Sequence, residues 1–346
     1  MHDAVIAERF LPFYQREICI MNKYFMQAVD RLYFCFHKGL IRVPQKLDSY
    51  DFSNLTKKEY LENPELFYEK PHRMPVFTLN RVNDINGIEV FNVHFPSPVS
   101  TKHKKNDVAH GLYFKAAGEK ARASVILLHG WGRSDLLKEK RIAMNLARHN
   151  INCFILKLPF HFERAPENTW SGEYSITGDI PRTIEGTRQL VIEARTVSSW
   201  LRGHSEKVII SGISLGGMIA HLAMAVEPFD AGISILAGGN NASVIWEGIA
   251  TKGVKDDIQK AGFTREQANH IYKIIDPVVI ARHNKTRNIL MINGLYDEVM
   301  PVRYTTELWE ALGRPKIKWY PCAHVSIAFF VRSMIKDMIE FIHGHV

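Results

Sequence analysis

Residues 208–226 run for 19 positions without Lys, Arg, Asp or Glu, and the way the chain breaks that run constrains its fold more than any other feature. An uncharged stretch of this length is long enough to cross a bilayer. Ser211, Gly212, Ser214, Gly216, Gly217 and His221 argue against one continuous membrane helix. They divide the run into an apolar strand through Val208, Ile209 and Ile210, a tight turn at Gly212-Ile213-Ser214-Leu215-Gly216, and a helix over 215–226. A sharp turn from strand to helix needs small residues beside the serine, because side chains there would meet neighbouring backbone. The turn also lifts the serine hydroxyl above the sheet, so the segment predicts an exposed nucleophile at Ser214.

The rest of the chain repeats the same alternation. Strand-like runs near 124–128, 152–158, 207–212, 231–236, 288–293 and 316–320 are separated by helical patterns near 135–149, 184–201, 215–226, 302–312 and 326–342. Short apolar strands alternating with helical lengths predict an α/β fold: a mostly parallel sheet covered by helices on both faces. Runs at 74–82, 88–95 and 108–115 predict an antiparallel start, with Asn83-Asp84-Ile85-Asn86-Gly87 as a turn between the first two. Sites in such sheets lie at the C-terminal ends of the strands. Two long breaks interrupt the alternation. Residues 159–181 are expected to form part of a pocket wall, and about 238–286, with helical segments at 244–251, 254–261 and 265–275, a cap over the site.

Residues 1–72 form an expected N-terminal helical extension to a main domain over 73–346. Within it Ile18, Met21, Phe25, Val29, Leu32 and Phe36 recur at spacings of three and four, with Lys23, Gln27, Asp30 and Arg31 on the other side. This predicts an amphipathic helix that lays its apolar stripe on the main domain. A membrane surface is the alternative, given Arg31, Lys38 and Arg42. Thr56 and Glu59 have the spacing of a capping box opening a short helix, which Asn63 and Pro64 end.

A serine hydroxyl is a weak nucleophile unless an adjacent base takes its proton, so the turn at Ser214 requires a histidine oriented by a carboxylate. Asp297 follows the strand at 288–293 and His324 follows the strand at 316–320, in the chain order expected for this type of site. Glu298, adjoining Asp297, is the alternative carboxylate. Cys322 lies near His324 but has no such turn around it. Backbone donors for a developing oxyanion are expected at the Leu215 amide and at the Trp131 amide, where glycines flank the tryptophan in His129-Gly130-Trp131-Gly132. His161 and Arg164, just after a strand end, either line the pocket with His129 and meet an acidic substrate group, or belong to a structural salt bridge.

With His129-Gly130-Trp131-Gly132, Gly212-Ile213-Ser214-Leu215-Gly216, Gly294-Leu295-Tyr296-Asp297 and His324, the sequence resembles the α/β-hydrolase superfamily from about residue 74 to the C-terminus. The loops look closest to the dienelactone hydrolase, acetyl-xylan esterase and prolyl-oligopeptidase-like branches. The resemblance implies an eight-stranded, mostly parallel sheet and hydrolysis through an acyl-enzyme. Serine at the turn argues against dehalogenase and epoxide-hydrolase chemistry, which use a carboxylate there. The sequence departs from the pattern at Cys322 and Ala323, where the superfamily more often has a glycine beside the histidine, and the N-terminal region lies outside the common core.

Composition excludes other classes. With 46% apolar and 23% charged residues the chain is an ordinary globular protein. The net charge of +8 is not gathered on a stripe; its tightest cluster, Lys102-His103-Lys104-Lys105, reads as a solvated loop, so no nucleic-acid partner is expected. No glycine-rich phosphate loop follows an early strand, and the 16 histidines show no ligand spacing, so neither a cofactor nor a metal is expected. His343 and His345 read as solvated. The four cysteines, Cys19, Cys35, Cys153 and Cys322, are not spaced as a disulfide framework, and the first residues, with Asp3 and Glu8, lack a signal-peptide pattern; the expectation is a cytoplasmic protein. The expected partner is a small-molecule ester or acyl substrate. Trp246, Ile249, Phe263, Tyr272 and Ile275 in the cap favour an acyl or aromatic group over a sugar. A lipase, acyltransferase or peptidase on the same residues, or a hydrolase-fold binding protein without turnover, are the alternatives.

Overall fold

Every residue of Ile151–Leu156, Ala231–Ile235 and Ile289–Gly294 is buried, as strands are when helices cover both faces of their sheet. The structure is a computed structural model that describes residues 16–37, 52–118 and 120–345, without the side chains of 16–22 and 36–37. Its strands are β1 (Thr78–Ile85), β2 (Ile88–Pro96), β3 (Val108–Lys115), β4 (Ala121–Leu128), β5 (Ile151–Leu156), β6 (Ser205–Ile213), β7 (Ala231–Ile235), β8 (Ile289–Gly294) and β9 (Lys316–Tyr320). They form one sheet in the order β1-β2-β3-β5-β4-β6-β7-β8-β9. The pairs from β5 through β9 are parallel, whereas β3 runs antiparallel to both its neighbours and β1 antiparallel to β2.

Among the described residues the sheet therefore has nine strands rather than the eight implied by the resemblance. The added strand is β1, exposed at every position and attached only at the edge. Its turn is shorter than the sequence suggested. Asn86 and Gly87 both take positive φ, 55° and 80°, and Ile85 pairs directly with Ile88, a two-residue hairpin whose twist matches that of the strands.

The helices that position the site are α1 (Arg16–His37), α2 (Leu137–Arg148), α3 (Ile180–Leu201), α4 (Leu215–Val226), α5 (Asn241–Glu247), α6 (Lys252–Lys260), α7 (Arg265–Tyr272), α8 (Val302–Ala311) and α9 (Val331–His343). Side chains alternate across β4: Ile126 and Leu128 join α3 and α4 in one core, and Val125 and Leu127 join α2 and α9 in the other. From β4 the chain passes to β5 on one side, then returns to β6 on the other. That reversal opens a crevice at the C-terminal ends of β4 and β6.

The N-terminal helix docks by the side opposite to the one its periodicity favours. Phe25 and Leu32 are 58% and 59% exposed, whereas Met26 and Asp30 are buried. The physical reason is a set of polar contacts from Gln27, Asp30 and Arg31, described below. The side chains of Ile18, Met21 and Phe36, and the expectations on Asp3, Glu8, Cys19, Lys38 and Arg42, lie outside what is described. The capping box also fails to form. Thr56 Oγ1 donates to the Phe52 carbonyl at 3.0 Å, and the helix Lys58–Glu62 starts without a side-chain cap. Among the described residues no helix is long and apolar enough to cross a membrane.

Candidate active site

The turn at the end of β6 leaves no room for side chains on either flank. A methyl group at Gly212 would sit 2.1 Å from the Gly216 carbonyl oxygen, and one at Gly216 would lie 2.5 Å from the carbonyl oxygens of Leu128 and His129. Between them Ser214 is held at φ 54°, ψ −118°, a backbone geometry that costs energy for a residue with a side chain. Tight packing of the turn against the end of β4 sustains it. The same contact brings Gly130 to Ser214: a methyl group on Gly130 would be 3.6 Å from Ser214 Cβ.

Ser214, His324 and Asp297, each from a loop at a strand C-terminus, meet in a hydrogen-bonded row. The Ser214 hydroxyl donates to His324 Nε2 at 2.8 Å, and His324 Nδ1–H donates to Asp297 Oδ2 at 2.7 Å. The other oxygen of Asp297 accepts the amides of Val299 and Met300, both at 2.8 Å, which fixes the carboxylate plane. Burial works against a charged His324, but the charge and hydrogen bond of Asp297, with Asp30 nearby, outweigh it, and the pKa lies above the ordinary 6.5. Glu298 points elsewhere, accepting two hydrogen bonds from Arg31 at 2.6 and 2.8 Å, so Asp297 is the carboxylate on the histidine. Cys322 is buried, and burial pushes its thiol well above its usual range, away from a thiolate.

Trp131 and Leu215 line the same cavity as Ser214. The 129–132 loop that carries Trp131 is held by two buried histidines, and here the structure corrects the reading of His129 and His161 as pocket residues. His129 Nδ1–H donates to the Gly130 carbonyl at 2.7 Å while its Nε2 accepts the Leu158 amide at 3.0 Å. His161 Nδ1–H donates to the Pro159 carbonyl at 2.9 Å while its Nε2 accepts the Gly132 amide at 3.1 Å. Each ring uses one nitrogen to donate and one to accept, so each is neutral with a set tautomer. Burial lowers both pKa values, that of His161 to about 4. Trp131 is fixed from the other side, its indole N–H donating to the Gly172 carbonyl at 2.8 Å.

Arg164 is also withdrawn from the pocket. It has no exposed surface and forms a two-pronged pair with Glu193, both bonds 2.7 Å, while donating to the carbonyls of Lys157 and Asn106. Both terminal nitrogens of this deeply buried guanidinium are engaged and its Nε is enclosed in the core, so the group has no donor facing the cavity to offer a substrate.

The cavity above Ser214 has an empty volume of about 750 Å³, part of it open to solvent. Its apolar walls include Leu215, Met218, Ile219 and Leu222 on α4, Ile176 in the 159–181 segment, Val244, Ile245, Tyr272 and Ile275 after β7, and Val299 and Met300 after β8. Of the cap residues singled out in the sequence, Tyr272 and Ile275 line it, whereas Trp246 and Phe263 pack on the core. Periodicity shows that such residues are buried, without showing on which side. No charged residue lines the cavity among the described residues. Nor, among the described residues, does any group of three or more His, Cys, Asp or Glu stand where it could hold a metal ion.

A mostly parallel sheet with this turn after β6 defines an α/β hydrolase. The chain belongs to the family described as alpha/beta hydrolase domain containing 18, whose model matches residues 58–293. That span includes the 129–132 loop and Ser214; Asp297 and His324 lie beyond it. The uncharacterised protein Rv2627c of Mycobacterium tuberculosis is 24% identical over 299 residues, 82% of this chain and 70% of that protein. Among solved structures, the acetyl xylan esterase from Paenibacillus sp. R4 superposes with a TM-score of 0.64 at 16% identity, over 86% of this chain and 96% of that one. The acylaminoacyl peptidase of Pyrococcus horikoshii gives 0.54 at 16% identity, over 81% of this chain and 43% of that one. At such identities the likeness is one of fold.

Proposed function

We propose that the protein is a serine hydrolase that cleaves a carboxylic ester or thioester with an apolar acyl group, through an acyl-enzyme on Ser214. The observation that carries this reading is the row of hydrogen bonds from Ser214 through His324 to Asp297 at the mouth of an apolar cavity. His324 takes the hydroxyl proton as Ser214 attacks the carbonyl carbon, then gives it to the departing alcohol or thiol. Asp297 holds the imidazole in the tautomer that leaves Nε2 free to accept. The amides of Trp131 and Leu215 face the carbonyl oxygen, each contributing on the order of 3 kcal/mol as negative charge develops there. Water, deprotonated by the same histidine, then releases the acyl group. The esterase and peptidase chemistry of the structural neighbours is compatible with this, and an uncharged cavity favours the ester.

Incubation with a fluorophosphonate and measurement of intact mass tests the reading. A single adduct mapping to Ser214 is expected; absence of any adduct on folded protein would sink it.

The apolar walls predict selectivity for the acyl chain. With p-nitrophenyl esters, kcat/KM is expected to rise from acetate towards hexanoate by about fourfold per methylene, the equivalent of roughly 0.8 kcal/mol for each buried CH₂. A series that falls from acetate onwards would count against an acyl chain in this cavity.

The pH profile follows from His324. It acts as a base only when neutral, and its pKa is raised, so kcat/KM is expected to fall with acidification through a midpoint above 6.5. A midpoint well below 6.5 would show that the Asp297 charge does not govern the imidazole.

A further inference from the structure

Asp30 on α1 has no exposed surface, yet it carries a carboxylate, a group that is costly to bury unless its oxygens are hydrogen-bonded. Its partners are three consecutive backbone amides. Oδ2 accepts from His324 at 2.7 Å and Val325 at 3.1 Å, and Oδ1 accepts from Val325 at 3.0 Å and Ser326 at 3.2 Å. These amides open the short 3-10 helix Ser326–Phe330, so a side chain 294 residues away in sequence acts as its cap. The N-terminal helix α1 also grips the other loop of the site. Arg31 holds Glu298, Gln27 Nε2 donates to the Tyr296 carbonyl at 3.5 Å, and Met26 packs with Leu295, Tyr296 and Ala323.

We propose that Asp30 is a positioning residue for the Ser214, His324 and Asp297 row: by accepting the amides of 324–326 it sets the loop that keeps His324 Nε2 within reach of Ser214. This rests on the hydrolase reading above and adds the N-terminal helix to the machinery of that site. It also accounts for the inverted docking of α1. A helix that buried Phe25 and Leu32 would turn Asp30 to solvent and leave three amides of the histidine loop without this acceptor.

The charge of Asp30 has a second effect. It favours the imidazolium of His324, in the same direction as Asp297 and against Lys138 of α2. Lys138 is itself flanked by Arg133, Asp135 and Glu139. Burial, with the nearby Asp297 charge, raises the carboxyl pKa of Asp30 above its ordinary value, and the amide hydrogen bonds and the His324 charge offset only part of that rise.

The test uses the whole 346-residue chain with Asp30→Asn, which keeps the shape but removes the charge and turns one acceptor into a donor facing an amide. Fluorophosphonate labelling and kcat for p-nitrophenyl butyrate are expected to slow by about 10²-fold, the effect of misplacing a reacting group by about 1 Å. KM should be little changed, because the cavity walls are untouched. The acid limb of kcat/KM should move to lower pH, since the Asp297 and Lys138 charges remain while that of Asp30 is gone. A kcat equal to that of the wild type, or a lower kcat with an unmoved acid limb, overturns the proposal.

Hydrogen exchange on the wild type gives a readout that needs no variant to fold. The amides of 324–326 are expected to be protected, and rapid exchange there would overturn the contact itself. Wild-type protein that takes no adduct overturns the hydrolase reading and with it the role of Asp30. Normal wild-type labelling with normal rates in Asp30→Asn overturns the positioning role alone.

Discussion

Replacing Ser214 by alanine is expected to lower turnover of an activated ester by about 10⁶-fold, the scale seen when a serine nucleophile is removed from a working triad. Covalent labelling should vanish with it. The fold should not change, because the strained backbone at φ 54° is held by Gly212, Gly216 and the end of β4, and alanine keeps the same Cβ. Circular dichroism and Tm check that condition. Retained labelling in the alanine variant would place the reactive group elsewhere and remove Ser214 from its role. A loss of only about tenfold would show that most of the rate came from binding and the oxyanion donors.

The second large effect is expected at Asp297. Asp297→Asn should reduce kcat by about 10⁴-fold with little change in KM, because it imposes the wrong tautomer without disturbing the site. The geometry explains why the change would be so clean. Oδ1 accepts the amides of Val299 and Met300, so an asparagine would keep its carbonyl oxygen there and turn its NH₂ towards His324 Nδ1. Facing a donor, Nδ1 gives up its proton, Nε2 carries it instead, and the ring can no longer accept from Ser214. Glu298 offers no substitute while Arg31 holds both its oxygens. Steady-state kinetics above the His324 midpoint measure the loss, and a variant within about tenfold of the wild type would mean that the carboxylate is dispensable.

Much of this architecture is legible in the sequence because its causes are local. The expected run at 215–226 is the observed α4, and those at 108–115 and 316–320 are the observed β3 and β9. Each follows from an apolar period bounded by turn residues. Gly212 could be read in the same way, since a side chain there collides with the backbone of Gly216 only four residues on, whereas the need for Gly216 comes from the distant end of β4. Asp297 and His324 were accessible through their position at the ends of two strands, a property of neighbouring residues.

Other features were decided only when distant segments met. Arg164 reads equally as a charge for a substrate or as half of a structural salt bridge, and the choice is made only by Glu193, 29 residues on, which pairs with it in the core. His129 and His161 read as pocket residues until their ring nitrogens are seen to be occupied by loop backbone. β1 reads like any other strand, and its place at the exposed edge depends on a hairpin turn two residues long. Asp30 is the sharpest case. Hydrophobic period assigns it to the solvent side of α1, because that argument counts a carboxylate as a group that must face water. The folded chain supplies three backbone amides instead, from a loop 294 residues away, and no local pattern contains that acceptor's partner. The sequence by itself determined the fold class and the order of the candidate serine, acid and base. Which faces dock, and which charges are cancelled, is settled by tertiary contact, because the energy of a buried polar group depends on the partner it meets rather than on its neighbours in the chain.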